Sequence, residues 1–246
     1  MMEDPVVPST ARMIDYWLGG RHHFPVDVAA ANAFEGAYGP CAAIFRSLRD
    51  FSRRAVTYLA AHGIDNFLVF GAGVPTLGNV HDVATDAHVL YTDIDLVTIT
   101  LGQKILAKND HAGYAYGDAT NLASIDPAAL AEFLPGWRRA PIGLVFLGLA
   151  AFLDDLTLAR TFEQLHRAVP DGSMLAFDFD GQELADHPAA LAMMGDGFHM
   201  RDPAGVPSLL GDWRLTVEGI VPVAQWRPDG APAEVPDAFY GGVALR

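Results

Sequence analysis

Five short apolar runs alternate with longer stretches of mixed polarity through the middle of this sequence, and this alternation limits the possible folds most strongly. Strands that are apolar on both faces are buried on both sides, as in parallel sheets covered by helices. We therefore predict an α/β fold. The predicted strands are 66–70, 88–93, 112–118, 142–149 and 173–180, and the predicted helices are 76–85, 95–108, 127–135 and 154–169.

The two ends of the chain have a different pattern. Residues 1–60 are predicted as an N-terminal helical cap, because STARMIDYWLGG and most of FRSLRDFSRRAVTYLAAHG fall there and have helical periodicity. Near the carboxyl terminus, WRLTVEGIVPVAQWRP and AFYGGVALR have the pattern of two strands joined by a turn-rich connector. We expect these strands to form an antiparallel edge, so that residues 61–246 make one compact domain with a mostly parallel sheet.

Composition restricts the partners and the compartment. The 246 residues carry a formal net charge of −14, which disfavours nucleic acid as the main partner. The single Cys41 excludes an internal disulfide and offers no metal-site spacing, so we predict no metal and a reducing, cytoplasmic environment. The first residues have no signal-peptide pattern, and no apolar run approaches the length of about 18 residues that spans a membrane.

A glycine turn follows the first predicted strand. Gly71-Ala72-Gly73 lies between a strand and a predicted helix, where backbone can approach a nucleotide closely. Asp93 stands twenty residues beyond Gly73 at the end of the next strand, where a carboxylate can accept hydrogen bonds from ribose hydroxyls. Asp118 ends the third strand and is placed to accept from an adenine amino group. Together these residues predict an adenosine site.

The turn departs from the dinucleotide fingerprint. A third glycine would be needed at position 76, where the chain has Thr76, and Pro75 stands just before it. A ligand without phosphates fits better, and S-adenosylmethionine is the one we favour. A dinucleotide and a structural turn without a ligand remain alternatives at this point.

Several motifs resemble a known family. ARMIDYWLGG, RRAVTYLAAHGIDNFLVFGAGVPTLGNVH, VLYTDID, VPVAQWRPDG and YGGVA are similar to those of the actinobacterial S-adenosylmethionine-dependent methyltransferase-like family, and the similarity runs over nearly the whole chain. The resemblance implies a Rossmann-like class I methyltransferase fold with a seven-stranded, mostly parallel sheet. It also implies contacts to the cofactor S-adenosylmethionine at Gly71, Gly73, Asp93 and Asp118.

The chain differs from the family pattern at three places. The family has an acid just before the glycine turn, whereas this chain has Val69. A histidine that follows the fourth strand in the family is replaced by Ala151, and the segment after WLGG reads Arg21, His22, His23, Phe24 instead of a K-D-N-F-like sequence. The nucleotide half of the site is therefore better supported than the amino-acid half.

Further site residues are expected around the pocket that such a sheet forms at the carboxyl ends of its strands. Arg12 and Asp15, in the cap, are predicted to bind the carboxylate and ammonium of the methionine group. Tyr16, His23 and Asp178 are predicted as catalytic residues, with Asp180 on the same face of its strand as Asp178. The other predicted cofactor contacts are Gly20, Pro75, Asn79, Ile94, Ala119 and Gly148.

Three functions fit this site. Methyl transfer to a small-molecule acceptor, of the kind found in secondary metabolism, is the first. The second is a lyase-type cyclisation of the cofactor itself, which would release methylthioadenosine and a small cyclic amino acid. A regulator that binds the cofactor without turnover is the third. A homodimer is left open.

Overall fold

The computed structural model describes residues 5–76 and 78–246. Its helices are Thr10–Trp17 (α1), Pro25–Tyr38 (α2), Cys41–Ala61 (α3), Val80–Val83 (α4), Leu96–Leu106 (α5), Pro127–Phe133 (α6), Asp155–Ala168 (α7) and Pro188–Met194 (α8). Its strands are Asn66–Phe70 (β1), His88–Asp93 (β2), Ala112–Tyr116 (β3), Gly143–Phe146 (β4), Met174–Asp180 (β5), Arg214–Leu215 (β6), Val221–Pro222 (β7) and Phe239–Leu245 (β8).

The strands form one mixed sheet in the order β3-β2-β1-β4-β5-β8-β6, with β7 also paired to β8. Strands β1 to β5 are parallel, and β8 is antiparallel to β5. The α/β class, the five parallel strands and the antiparallel carboxyl-terminal edge are therefore confirmed. The chain order reverses between β1 and β4, and ligands of such sheets bind beyond the carboxyl ends of the strands at this switch point.

The sheet has eight strands in the described part of the chain, one more than predicted. The additional strand lies at the carboxyl-terminal edge. The segment 213–228, expected as a single strand, contains the two-residue strands β6 and β7, which both pair with β8. Gly219 lies between them in a left-handed conformation, with φ of 65°. Pro222 ends β7 because its nitrogen has no hydrogen to donate to the ladder.

Helices cover both faces of the sheet. Phe51 and Leu59 of α3 pack with Phe67 and Val145 on one face, where α4 and α5 also contribute. Phe162 of α7 packs on the other face in a second cluster to which α6 contributes. Residues 1–60 were predicted as the cap, but the apolar stripe of α3 is buried against the sheet, so α3 belongs to a helix layer. No helix in the two described ranges is long and apolar enough to cross a membrane.

The cap is built from α1, α2 and α8. Trp17, Phe34, Leu184 and Ala190 form its small apolar cluster. The segment 183–194, which contains Leu184 and α8, thus supplies part of the cap. The cap therefore joins an early and a late segment of the chain above the carboxyl ends of the strands.

Candidate functional site

A cavity of about 530 Å3 opens at the carboxyl ends of β1 to β5, beneath α1. Its size is in the range of small-molecule sites. Its walls come from the loops after the parallel strands, from one face of α3 and from the cap. The predicted residues that line it are Gly71, Gly73, Asn79, Asp93, Ile94, Asp118, Ala119 and Gly148.

The glycine turn needs glycine at its first position. Gly71 has φ of 53°, and a Cβ atom there would lie 2.3 Å from Cδ2 of Leu149. Gly73 also has a positive φ, of 64°, and lies against Ala11 of α1. The backbone of the turn is therefore held close to the cavity, between the loop after β4 and the cap helix.

The helix after this turn is shorter and starts later than predicted. The sequence predicts a helix over 76–85, but α4 covers only Val80–Val83, with Asn79 as its N-cap residue. Residues 71–76 and 78–79 are loop. The helix therefore begins several residues beyond the Gly71–Gly73 turn, and not directly after it as in the fingerprint that binds a pyrophosphate.

Asp93 is fixed by the backbone around it. Its two carboxylate oxygens accept from the amides of Gly73, at 3.1 Å, and of Asp95, at 3.0 Å. A carboxylate has about four acceptor sites, so two backbone hydrogen bonds leave room for ribose hydroxyls. Asp95 itself caps α5, as expected, by accepting from Val97 and Thr98.

Asp118 keeps one oxygen available. Its Oδ1 accepts from the amide and hydroxyl of Thr120, at 2.8 and 2.7 Å. Its Oδ2 has no hydrogen-bond partner among the described residues and lies at the cavity wall beside Ala119. Ile94, 63% exposed, stands at the rim on the same side. Asp118, as a hydrogen-bond acceptor, and Ile94, as an apolar surface, together suit a planar ring that carries an amino group.

Arg12 does not face the cavity, contrary to the prediction. It is 2% exposed, and its guanidinium bonds Asp27 at 2.8 Å, Asp95 at 3.3 Å and the Val7 carbonyl at 2.9 Å. All sides of the guanidinium are therefore occupied by protein. Arg12 ties α1 to α2 and to the start of α5, and so positions the cap.

Asp15 and its neighbours also lie outside the cavity. The Asp15 carboxylate, 2% exposed, accepts from the Thr76 hydroxyl at 2.8 Å and contacts His23 Nδ1 at 2.9 Å. Gly20 is packed against it, because a Cβ there would lie 2.0 Å from the Asp15 oxygen. These residues hold the cap onto the glycine loop, and neither Asp15, predicted to bind the methionine group, nor Gly20, predicted to contact the cofactor, lines the cavity.

Three more predicted residues are placed away from the cavity. The Tyr16 hydroxyl bonds Asn32 at 3.1 Å on the outer side of the cap, with the His23 ring against it. Pro75 is buried under the cap and is not part of the wall. Tyr16 and His23, predicted as catalytic residues, therefore contact each other and the cap and do not line the cavity.

Asp178 lies behind the wall, and Asp180 lies in it. Asp178 is completely buried, and its Oδ1 accepts from the Gly148 amide at 2.6 Å. Burial raises the pKa of Asp178 to about 7. Asp180, two residues later on the same face of β5, lines the cavity. The predicted catalytic acid is therefore replaced at the wall by Asp180, and Asp178 supports the loop after β4.

Arg49 was missed by the sequence analysis. It lies on α3, lines the cavity, and has no hydrogen-bond or ion-pair partner within the described ranges. Burial lowers the pKa of Arg49, but a guanidinium stays charged. The residues of α3 that line the cavity have helical spacing and are Phe45, Leu48, Arg49 and Ser52. A charged residue on this otherwise mostly apolar stripe was the sequence feature that could have indicated a ligand contact at Arg49.

The far end of the cavity is apolar. Phe152 and Leu153 follow β4, Met194 and Phe198 come from the cap, and Phe239 begins β8. Phe152 and Phe198 meet edge to face, with ring centroids 6.2 Å apart. The amide of His199 bonds the Ala151 carbonyl at 2.7 Å, which fixes the cap to the β4 loop. The cavity thus has a polar end beside β1 to β3 and an apolar end beside β4 and β5.

The sheet order, the cavity at the switch point and the acids after β2 and β3 define a class I methyltransferase fold. The model of the S-adenosyl methyltransferase family matches residues 3–246. The chain therefore belongs to this family, as the sequence motifs indicated. A search of curated proteins found no match.

Solved structures agree with this membership. A "putative methyltransferase" from Thermobifida fusca YX is 27% identical, with a TM-score of 0.85 over 98% of this chain and 95% of that chain. A DUF574 family protein from Streptomyces avermitilis MA-4680 is 29% identical, with a TM-score of 0.82 over 98% of both chains.

A more distant structure carries a ligand. Magnesium protoporphyrin IX methyltransferase from Synechocystis PCC 6803, with bound S-adenosylhomocysteine, has the same fold at 14% identity and a TM-score of 0.57, over 89% of this chain and 94% of that chain. The family and the fold confirm S-adenosylmethionine as the cofactor. None of these three proteins is described as a cyclase or lyase, so that hypothesis has no support from them.

Proposed function

We propose that this protein transfers the methyl group of S-adenosylmethionine to a small-molecule acceptor bound at the apolar end of the cavity. The proposal rests mainly on one observation: the Gly71–Gly73 turn, Asp93 and Asp118 all line the same cavity. The size of the cavity supports a small acceptor. Its assignment to secondary metabolism stays a prediction from the sequence.

The polar end fits the nucleoside. Two backbone amides already fix the orientation of the Asp93 carboxylate. Its remaining lone pairs can therefore accept from ribose hydroxyls without a change of side-chain conformation. Asp118 Oδ2 accepts a hydrogen bond from the adenine amino group, and the neighbouring backbone contacts the edge of the ring. Ile94 and Ala119 cover the faces of the ring.

Arg49 fits the methionine carboxylate better than Arg12 does. It is the only basic residue that lines the cavity in the described part of the chain, and its guanidinium has no protein partner there. Arg–carboxylate pairs are often bidentate, which fixes direction as well as position. We therefore assign to Arg49 the role that the sequence analysis gave to Arg12.

The charge of the wall also supports this cofactor over a dinucleotide. Four acids, Asp93, Asp95, Asp118 and Asp180, line the cavity, against one arginine. Such a wall repels a pyrophosphate and attracts a ligand with a sulfonium and an ammonium group. Bound there, S-adenosylmethionine supplies an activated methyl group. The side chains need only align an acceptor with it and exclude water.

The test separates the three functions. The purified protein is incubated with S-adenosylmethionine alone and then with a panel of small acceptors, and the nucleoside product is identified by mass spectrometry. Acceptor-dependent S-adenosylhomocysteine supports methyl transfer. Methylthioadenosine without an acceptor would mean cyclisation, and stabilisation without any product would mean a regulator.

A binding measurement tests the cofactor separately. S-adenosylhomocysteine should raise the melting temperature of the protein, and NAD should not. Asp93→Asn and Asp118→Asn should reduce this shift, whereas Asp196→Asn, at an exposed acid outside the cavity, should leave it unchanged. A shift with NAD and none with S-adenosylhomocysteine contradicts the proposal.

A further inference from the structure

Asp180 is the one acid at the apolar end of the cavity, within the residues that the structure describes. It is the last residue of β5, and its carboxylate accepts no hydrogen bond from another described residue. The acids at the polar end differ, because Asp93, Asp95 and Asp118 all accept hydrogen bonds from backbone amides. Asp180 therefore presents an unsatisfied carboxylate to whatever fills this end.

No cation among the described residues forms an ion pair with Asp180. The charge of Arg201 lowers the pKa of Asp180, but its guanidinium bonds the Asp155 carboxylate at 2.9 Å and the Ala150 carbonyl at 2.7 Å. Asp178 stands behind Asp180 on the same face of the strand and adds a second carboxyl group. Burial and this neighbour raise the pKa of Asp180 well above its ordinary value. A positive charge from outside would relieve both effects.

The surroundings of Asp180 are apolar and largely aromatic. The side chains around this end of the cavity are Phe45, Phe152, Leu153, Met194, Phe198 and Phe239. Aromatic faces attract cations, and together with a carboxylate they form a common setting for a positively charged nitrogen. A carboxylate ligand would be repelled here, and a neutral one would leave the Asp180 charge unpaired.

We propose that the methyl acceptor is an amine with an aromatic or aliphatic body, held through its nitrogen by Asp180 and through its body by these side chains. This inference rests on the proposed methyl transfer and names its substrate class. The Asp180 carboxylate fixes the nitrogen at the end of β5, and the apolar wall excludes water around it.

The reaction balances with the groups present. The bound ammonium gives one proton to the Asp180 carboxylate, and the nitrogen lone pair then forms the new bond to the methyl carbon. The carbon–sulfur bond breaks, and its electron pair stays on sulfur. The product carries the methyl group on a positively charged nitrogen and leaves as the ammonium, and the protonated Asp180 then gives its proton to solvent. A carboxyl group with a raised pKa is suited to this proton transfer.

The experiment compares ligands that differ only in the terminal group. The protein is saturated with S-adenosylhomocysteine and titrated with three series, built on phenylethyl, indolylethyl and octyl bodies, each as the amine, the alcohol and the corresponding carboxylate. Binding is measured by calorimetry. Within at least one series we expect the amine to bind at least about tenfold more tightly than the alcohol, and the carboxylate to bind least.

Asp180→Asn should remove this preference, because it keeps the shape of the side chain and removes the charge. Asp196→Asn, at an exposed acid outside the cavity, is the matched control and should retain it. Equal binding of amine and alcohol in every series overturns the proposal, as does an amine preference that survives Asp180→Asn.

A separate readout distinguishes this proposal from the proposed function. S-adenosylmethionine affinity should be unchanged in Asp180→Asn. If that affinity falls at least tenfold, Asp180 belongs to the cofactor, and the amine proposal is wrong while the methyltransferase proposal stands. If the wild-type protein binds neither S-adenosylmethionine nor S-adenosylhomocysteine, the proposed function itself fails.

Discussion

Replacing Arg49 with methionine should change stability and cofactor binding in opposite directions. In the protein without ligand, the guanidinium lies at the cavity wall without a hydrogen-bond or ion-pair partner among the described residues, so the charge of Asp15 compensates its desolvation only in part. Arg49→Met keeps the length of the side chain and removes the charge. We expect the free energy of unfolding to rise by about 1 kcal/mol.

The same substitution should weaken S-adenosylhomocysteine binding by about 10- to 100-fold, because a hydrogen bond to a charged group contributes about 1.5–3 kcal/mol. This has a direct consequence for thermal stability. A ligand at about 100 times its Kd stabilises a protein by about 2.7 kcal/mol, and a thirtyfold weaker ligand at the same concentration by only about 0.9 kcal/mol. The ligand-induced shift in Arg49→Met should thus fall to about a third.

Two controls make this measurement specific. Methylthioadenosine has the nucleoside and no methionine carboxylate, so its affinity should be the same in wild type and Arg49→Met. Arg46→Met, at an exposed arginine of the same helix, should leave all affinities unchanged. If calorimetry shows that Arg49→Met binds S-adenosylhomocysteine as tightly as wild type does, or loses both ligands equally, Arg49 does not hold the carboxylate.

Three further predictions concern stability. Gly71→Ala should cost about 1–3 kcal/mol more than Gly78→Ala in urea denaturation, because both have a positive φ but only the first places Cβ against a leucine; equal costs would contradict the steric argument. Arg12→Met leaves a buried aspartate uncompensated and should cost about 3–5 kcal/mol, whereas Arg53→Met, in an exposed ion pair, should cost under about 1 kcal/mol. Burial raises the pKa of Asp178 to about 7, so the folded protein retains a proton that the unfolded chain loses near pH 4, and stability should fall as pH rises between these values. Asp178→Asn should flatten that fall by up to about 3 kcal/mol between denaturation at pH 5 and at pH 8, since about two of the pH units between the two pKa values lie in this interval, although the neighbouring carboxyl group on the same strand also titrates; parallel curves for the two proteins would refute it.

The sheet was predictable because its signal is local. Five apolar runs gave β1 to β5 within a few residues, since a strand buried on both faces must be apolar along its whole length. The turn after β1 and the acids after β2 and β3 were predictable for the same reason. They are defined by their distance from a strand end, and parallel strands bring those ends together.

The amino-acid half of the site was not predictable in this way. Arg12 and Arg49 are both arginines on amphipathic helices, and only tertiary packing decides which one meets an acid. Asp27 lies fifteen residues from Arg12 along the chain, and Asp95 lies eighty-three residues from it. Gly20 shows the same limit, because the requirement for glycine that the structure shows there comes from its packing against Asp15, which is a tertiary contact.

Val69 connects the two halves of the site. The family resemblance led us to expect an acid at this place, and here Val69 faces the layer between β1 and α3 and lines the same cavity as Arg49. An acid there would supply a negative charge beside the guanidinium. With valine in its place, the methionine end of the cavity keeps a positive charge. Asp180 is then the acid of the cavity wall that accepts no hydrogen bond from another described residue. It lies on β5, two strands away from β1 in the sheet. The cavity wall therefore carries opposite charges, at Arg49 and at Asp180, at the two ends that we propose for the methionine group and for the acceptor. A carboxylate at the first and an amine at the second would each find one partner.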